Sequence, residues 1–210
     1  MSFLRFSAPM VVGIVLAVAA LAQDPGKPSE KRDDRREIAP VVRVKPTPTP
    51  MNAKKTTLLF PEIEGWTMSP KQTYPTPELG YSYTYESNGG GRVTIYVYNG
   101  GNRKIADDIN DAIVLREYKG VREEILAVGK AGIYQNMKEV KTGTATVGDS
   151  IESHYARYEF SVQGQRKVSE LYLFSFENNF IKIRATRNPD QLESSEFKDL
   201  MKELAAIFAP

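Results

Sequence analysis

The alternation of apolar and polar residues in the C-terminal third of the chain predicts a long β-hairpin. Along residues 166–176 apolar side chains occupy both alternating rows of a strand, and a second run at 180–186 returns beside it. A strand with apolar side chains on both rows is covered on both faces. Asn178 and Asn179 separate the two runs and tolerate the positive φ angles that two-residue hairpin turns require. We therefore predict that this hairpin forms the centre of a sheet.

Shorter alternating runs predict four more strands, at residues 80–87, 92–98, 137–147 and 155–162. In the first of these, Tyr81, Tyr83 and Tyr85 alternate with polar residues, so the strand is covered on one face. The three glycines at 89–91 lie between two strands, whereas a phosphate-binding loop leads from a strand into a helix. The glycine run is therefore predicted to be a hairpin turn.

Apolar residues at spacings of three and four predict two helices, one at residues 107–128 and one that begins at Ser194 or Ser195. Both apolar stripes are wide enough to pack on a sheet. Three aspartates cluster where the first helix begins, at Asp107, Asp108 and Asp111. They do not continue into a calcium-loop pattern, and negative charge at a helix N-terminus is favourable on its own.

The first 56 residues are predicted to lie outside the folded domain. Residues 1–22 combine a positive charge at Arg5 with an apolar run and a small-residue cleavage site, which is typical of a secretory signal peptide. The alternative is an uncleaved membrane anchor, but the run is about twelve residues long and a membrane span needs about twenty. Residues 23–56 are rich in proline and in charges of both signs, which predicts a disordered linker. A globular domain is predicted for residues 57–210, with Trp66 buried at the sheet edge.

The composition excludes several kinds of site. The 210 residues include no cysteine and a single histidine, His154, which excludes thiolate chemistry and metal sites built on paired imidazoles. His154 has no catalytic-triad context and is predicted to be a partly covered residue at a strand end. A net charge of +2 provides no basic field for nucleic acid, which is not expected as a partner. No metal site and no cofactor are predicted.

Three carboxylates on the predicted strands support one alternative function. Glu159, Glu170 and Glu177 lie close to the predicted sheet centre and would supply the paired carboxylates of a hydrolase. That chemistry needs two carboxylates in one cleft with displaced pKa values.

The candidate binding site is a set of four basic residues on the predicted central strands: Arg157, Lys182, Arg184 and Arg187. With tyrosines such as Tyr96 nearby, these cations suit an anionic or sugar-like ligand. The alternative is that they pair with Glu159 and Glu170 across neighbouring strands.

The order of the elements resembles that of Mog1/PsbP-like proteins. The similarity lies in Gly65-Trp66, the strand at 92–98, the run at 164–187 and the terminal helix through Phe208. It implies an α+β fold in which helices cover an antiparallel sheet, as an α/β/α sandwich. Proteins of that class look like binding or assembly-factor proteins without a shared catalytic centre, although fold alone does not transfer function.

These observations predict an exported, non-enzymatic binding or accessory module of the cell envelope, in the periplasm or outside the cell. Its partner is expected to be an envelope protein or a small anionic ligand. A membrane is involved only if the N-terminal segment stays uncleaved. The alternatives are a carboxylate-dependent hydrolase and a small-ligand-binding domain.

Overall fold

The computed structural model of the protein describes residues 58–209, so the predicted signal peptide and linker lie outside the described residues. The described chain forms an antiparallel sheet of eight strands with one α-helix on each face, which confirms the predicted α+β architecture. The strands are β1 (Trp66–Met68), β2 (Gln72–Thr73), β3 (Tyr81–Ser87), β4 (Arg92–Tyr98), β5 (Gln135–Val147), β6 (Ile151–Val162), β7 (Gln165–Phe176) and β8 (Asn179–Arg187). The α-helices are α1 (Ala112–Lys130) and α2 (Ser195–Ala206).

The strand order is β1-β3-β4-β8-β7-β6-β5, with β2 also paired to β3. The β7–β8 hairpin is therefore central, as predicted. Its turn consists of Glu177 and Asn178, with φ angles of 46° and 62°, one residue earlier than the predicted pair. The reason is the register: Asn179 already pairs with Phe176, and a shift by one residue would turn the side chains of β8 to the opposite face.

Helix α1 begins later than predicted because Asp111 caps it. The Asp111 carboxylate accepts a hydrogen bond of 2.8 Å from the backbone N–H of Ile113. Asp108 instead accepts one from the N–H of Asn110 in the preceding turn. An aspartate N-cap satisfies an N–H that has no partner inside the helix, so the helix starts at that residue. In α2, Ser194 has the same role.

The sheet separates two apolar cores. In the first core, α2 packs on alternate residues of β4, β7 and β8, among them Ile95, Phe174 and Ile183. In the second core, α1 packs on the other row of β7, including Leu171 and Leu173. Apolar residues on both rows of β7 thus explain why it is buried on both faces.

The tryptophan and the histidine of the chain both belong to these cores. Trp66 is 9% exposed, as predicted, and its indole N–H donates to the carbonyl of Glu196 at 3.4 Å. His154 is more deeply covered than predicted: its ring stacks on Tyr118 at 4.7 Å between centroids. Its Nε2 lies 2.7 Å from the carbonyl oxygen of Ile109. These contacts are structural.

Helix α1 covers only part of its face of the sheet. It packs mainly on β5 and β7. On the same face it also contacts β8 at Phe180, which belongs to the second core. It contacts β4 at Tyr98, whose hydroxyl donates to Glu117 at 2.6 Å. Farther along β8, and on the facing parts of β3 and β4, this face carries polar side chains. That partly covered region positions the candidate site.

Candidate functional site

The four predicted basic residues do not form one surface. Lys182 and Arg184 lie on the α1 side of the sheet, whereas Arg187 lies on the α2 side, because side chains alternate along a strand and the residue numbers differ by an odd count. Arg157 pairs in register with Glu170 and also faces the α2 side. The four basic residues predicted as one binding site therefore form two separate pairs, one on each side of the sheet.

The pair on the α2 side surrounds Glu170, whose side chain is 3% exposed. One carboxylate oxygen accepts from Arg157 Nη2 at 2.8 Å and from the Tyr155 hydroxyl. The other accepts from Arg187 Nη2, and the Tyr172 hydroxyl lies 3.4 Å from it. Arg157 and Arg187 thus form cross-strand ion pairs with Glu170, which was the predicted alternative to a binding site.

Burial by itself raises the pKa of Glu170, but the charge of Arg187 and the hydrogen bonds from the tyrosine and arginine donors outweigh it, and the pKa of the carboxyl is lowered. Arg187 is itself 4% exposed, and its guanidinium lies over the ring of Phe197 on α2 at 3.5 Å. A carboxylate held in its ionised form between two arginines suits a structural ion pair. It does not suit a general acid, which needs a raised pKa.

Glu159 and Glu177, the other two carboxylates of the hydrolase hypothesis, are also placed unfavourably for hydrolysis. Glu159 forms an exposed ion pair with Arg166 at 3.4 Å. It lines a surface depression of about 210 Å³ that contains one aromatic residue, Phe160. Glu177 is exposed in the β7–β8 turn. The three carboxylates therefore do not share an aromatic-walled cleft.

The pair on the α1 side has a different environment. The ammonium of Lys182 lies 4.4 Å from the ring centroid of Tyr96 and 5.4 Å from that of Tyr98. The guanidinium of Arg184 lies 5.9 Å from the ring of Tyr158. Both cations are thus placed against aromatic faces, which attract positive charge.

No carboxylate within residues 58–209 forms a salt bridge with either cation. Lys182 has no side-chain hydrogen bond in that range, and Arg184 has one, from Nε to Ser169 Oγ at 2.8 Å. Ser169 also accepts from Thr186 at 2.9 Å. This small network holds the guanidinium in place and leaves its two terminal nitrogens unengaged within the described chain.

We call this surface the β8 cation face and define it by Thr94, Tyr96, Lys182, Arg184 and Thr186. In the sheet, Tyr96 is opposite Lys182 and Thr94 is opposite Arg184. All five residues are partly exposed. The sequence prediction included Tyr96 but not Thr94 or Thr186, although the register of β4 against β8 is the signal that would have identified these two threonines.

The electrostatics of this face favour a negative ligand. Burial lowers the pKa of Lys182, and the neighbouring charge of Arg184 lowers it too, while Glu124 and Glu117 on α1 act in the opposite direction. Burial also lowers the pKa of Arg184. Two like charges in a partly desolvated position cost free energy that a bound anion offsets.

The described residues contain few other candidates for chemistry. They include no group of three or more histidine, cysteine or acidic side chains placed to hold a metal ion. Within the same range, no helix has the length and apolar character to span a bilayer. A second depression, of about 390 Å³, lies against α2 and is lined by Tyr172, Phe197 and Met201 together with Lys198 and Lys202. Those two lysines pair with Glu193 and Asp149.

No protein-family model and no curated protein matches the sequence. Solved structures that are similar to it include the following two. One is cyanobacterial PsbP (CyanoP) from Synechocystis sp. PCC 6803, at 11% identity and a TM-score of 0.44, over 70% of this chain and 82% of that one. The other is LpqN, involved in cell envelope biogenesis of Mycobacterium tuberculosis, at 15% identity and a TM-score of 0.34, over 72% of this chain and 79% of that one. Both similarities concern the fold alone.

Proposed function

We propose that this protein is an exported, non-enzymatic binding module that holds an anionic group of its ligand or partner on the β8 cation face. The observation that carries the proposal is the pairing of Lys182 and Arg184 on one row of a central strand without a bonded carboxylate among the described residues. Export rests on the signal-peptide pattern of residues 1–22.

The contrast with the other side of the sheet supports this role. There, Arg157 and Arg187 already have a buried counter-charge in Glu170, so they stabilise the fold. On the β8 cation face the counter-charge is supplied from outside. Charge-assisted hydrogen bonds from a lysine and an arginine to an anion are among the stronger polar contacts in proteins.

The non-enzymatic character is supported by the same geometry. Catalytic groups carry pKa values displaced toward their task. Among the described residues, the pKa values of the carboxyls of Glu139 and Glu170 are both lowered, which favours their ionised forms. The ring of His154 is stacked on Tyr118 and one of its nitrogens faces a backbone carbonyl.

A titration with simple anions tests the proposal. Acetate and inorganic phosphate are added to the purified ¹⁵N-labelled protein, and the amide shifts of β4 and β8 are followed. We expect saturable shifts at residues 94–96 and 182–186 with at least one anion. The double substitution Lys182→Met with Arg184→Met is expected to abolish these shifts.

The matched control removes two positive charges from the opposite side of the same sheet, by Lys138→Met with Arg166→Met. Both of these residues are exposed. The control variant is expected to retain binding. If no anion gives saturable shifts on β4 and β8, or if both double variants bind equally well, the β8 cation face is not a binding site.

A further inference from the structure

The spacing and charges of the β8 cation face favour one chemical class of anion, and not every negatively charged group. Lys182 and Arg184 are two residues apart on one row, which places their Cα atoms about 6.8 Å apart, at about 3.4 Å per residue in an antiparallel strand. Both long side chains therefore reach a single group between them. A carboxylate carries one negative charge and leaves the second cation uncompensated.

The β8 cation face presents mainly hydrogen-bond donors. Lys182 has three N–H donors, none used within the described residues, and Arg184 has four on its terminal nitrogens. The hydroxyl of Tyr96 adds one more donor, whereas the hydroxyls of Thr94 and Thr186 are already bonded to Thr84 at 3.1 Å and to Ser169 at 2.9 Å. A ligand that fits this set offers several acceptor oxygens on one centre.

The position of Arg184 also favours an oxygen-rich tetrahedral anion. Ser169 accepts from Nε, so the guanidinium is held by one edge while its terminal nitrogens stay available. A guanidinium fork matches two oxygens of a phosphate, and a lysine supplies a point charge to a third. A phosphate monoester has three terminal oxygens and a charge of about −1.5 to −2 at neutral pH.

We infer that the group bound on the β8 cation face is the dianionic phosphate of a monoester, held by Arg184 through two oxygens and by Lys182 through the third. This inference rests on the proposed function and narrows its ligand class. The aromatic faces of Tyr96 and Tyr98 beside Lys182 then border the alcohol part of the ester.

Three small probes separate the dianion from other anions. Methyl phosphate is the monoester, dimethyl phosphate is a diester with one charge, and acetate is the carboxylate. Each is titrated into the purified protein near neutral pH, with the β8 amide shifts as the readout. We expect methyl phosphate to bind at least about tenfold more tightly than the other two, because it alone pairs with both cations.

The pH dependence gives an independent readout. A monoester loses its second charge as the pH falls through about 6, so its advantage over dimethyl phosphate is expected to shrink as the pH is lowered through that value. The charged and titratable groups around the face are Lys182, Arg184, the Arg92–Glu86 pair on β4 and β3, Glu117, Glu124 and the tyrosines at 74, 96, 98, 134 and 158. Protonation of any of these groups on acidification makes the face more positive and favours the dianion over dimethyl phosphate, so it cannot produce the expected loss of the methyl phosphate advantage.

A conservative variant tests the role assigned to the guanidinium. Arg184→Lys keeps the charge and removes the planar fork, so it is expected to weaken methyl phosphate binding about tenfold and to weaken acetate binding as well, because the fork also matches the two oxygens of a carboxylate. Equal binding of methyl phosphate and dimethyl phosphate or acetate overturns the dianion inference and leaves the anion-binding function standing. If none of the three probes binds, both the inference and the proposed function fail.

Discussion

The substitution Glu170→Gln tests whether the buried charge cluster on the α2 side holds the fold together. It keeps the shape of the side chain and its acceptor oxygen but removes the negative charge. Arg187, 4% exposed, can then still donate to the amide oxygen and to the carbonyl of Leu192 at 3.4 Å and still stacks on Phe197, but no carboxylate among the described residues balances its charge. A buried cation without its counter-charge is strongly destabilising.

The expected cost is worked from the exposure of each partner. Breaking a buried ion pair by removing one partner costs about 3 to 5 kcal/mol, and the Arg187–Glu170 pair meets that description. Arg157 is 31% exposed, so its pairing adds at most about 1 kcal/mol. We therefore expect Glu170→Gln to lower the free energy of unfolding by about 3 to 5 kcal/mol, a large share of the roughly 5 to 15 kcal/mol of a typical domain.

Urea unfolding followed by tryptophan fluorescence measures this change. The single tryptophan, Trp66, bonds to the carbonyl of Glu196, the neighbour of Phe197, and so reports on the packing of α2. The matched control is Glu159→Gln, which removes a carboxylate from an exposed pair on the same sheet and is expected to cost under about 1 kcal/mol.

A second variant separates the loss of charge balance from a general disturbance. Adding Arg187→Met to Glu170→Gln removes the uncompensated cation, so the double variant is expected to be more stable than Glu170→Gln by about 1 to 3 kcal/mol. A single-variant cost below about 1 kcal/mol, or a double variant less stable than the single one, would refute the assignment of Glu170 and Arg187 as a buried structural pair.

Three further predictions follow from the fold. The lowered pKa of Glu170 means that its stabilisation is complete above the unfolded value of about 4.3 and is lost as the pH falls through the folded value. The difference in unfolding free energy between the native protein and Glu170→Gln should thus shrink on acidification in a urea series, and a constant difference argues against the lowered pKa. Phe174→Ala, at a position 2% exposed, should lower the free energy of unfolding by about 3 to 5 kcal/mol. Leu115→Ala, at a position 44% exposed, should lower it by under about 0.5 kcal/mol. Similar losses of stability in the two variants would place β7 at an edge of the sheet. Limited proteolysis should leave a resistant core that begins near Thr57, and a core that begins at or before Glu30 would mean a structured linker.

The central hairpin could be predicted from the sequence because its signal is local. Apolar side chains on both rows of residues 166–176 require cover on both faces, and the structure supplies it with α1 and α2. The turn was misplaced by one residue because several residues there, including Glu177, can adopt positive φ angles and only the strand register decides between them. Asp111 was likewise one of three aspartates that fit a helix N-terminus, and only the three-dimensional structure shows that it is the N-cap.

The candidate site could be predicted only in part. Lys182 and Arg184 share a row by their spacing alone, and the same alternation excludes Arg187 from that row. The role of Glu170 depends on contacts across three strands, which no local pattern encodes. The availability of the β8 cation face depends on where α1 lies over the sheet, and that position is set by tertiary contacts rather than by a local pattern.

The most direct test of the account is the pKa of Lys182, measured by NMR of the lysine side chains, with Lys182→Met to identify its signal. Lys182 and Arg184 are two partly buried cations without a bonded counter-charge among residues 58–209, so Lys182 should titrate below the ordinary lysine value of about 10.4 in the free protein. Saturation with methyl phosphate should then raise that pKa, because a bound anion favours the charged form. A Lys182 that titrates at the ordinary value and does not respond to methyl phosphate or acetate would contradict the claim that the β8 cation face binds an anion.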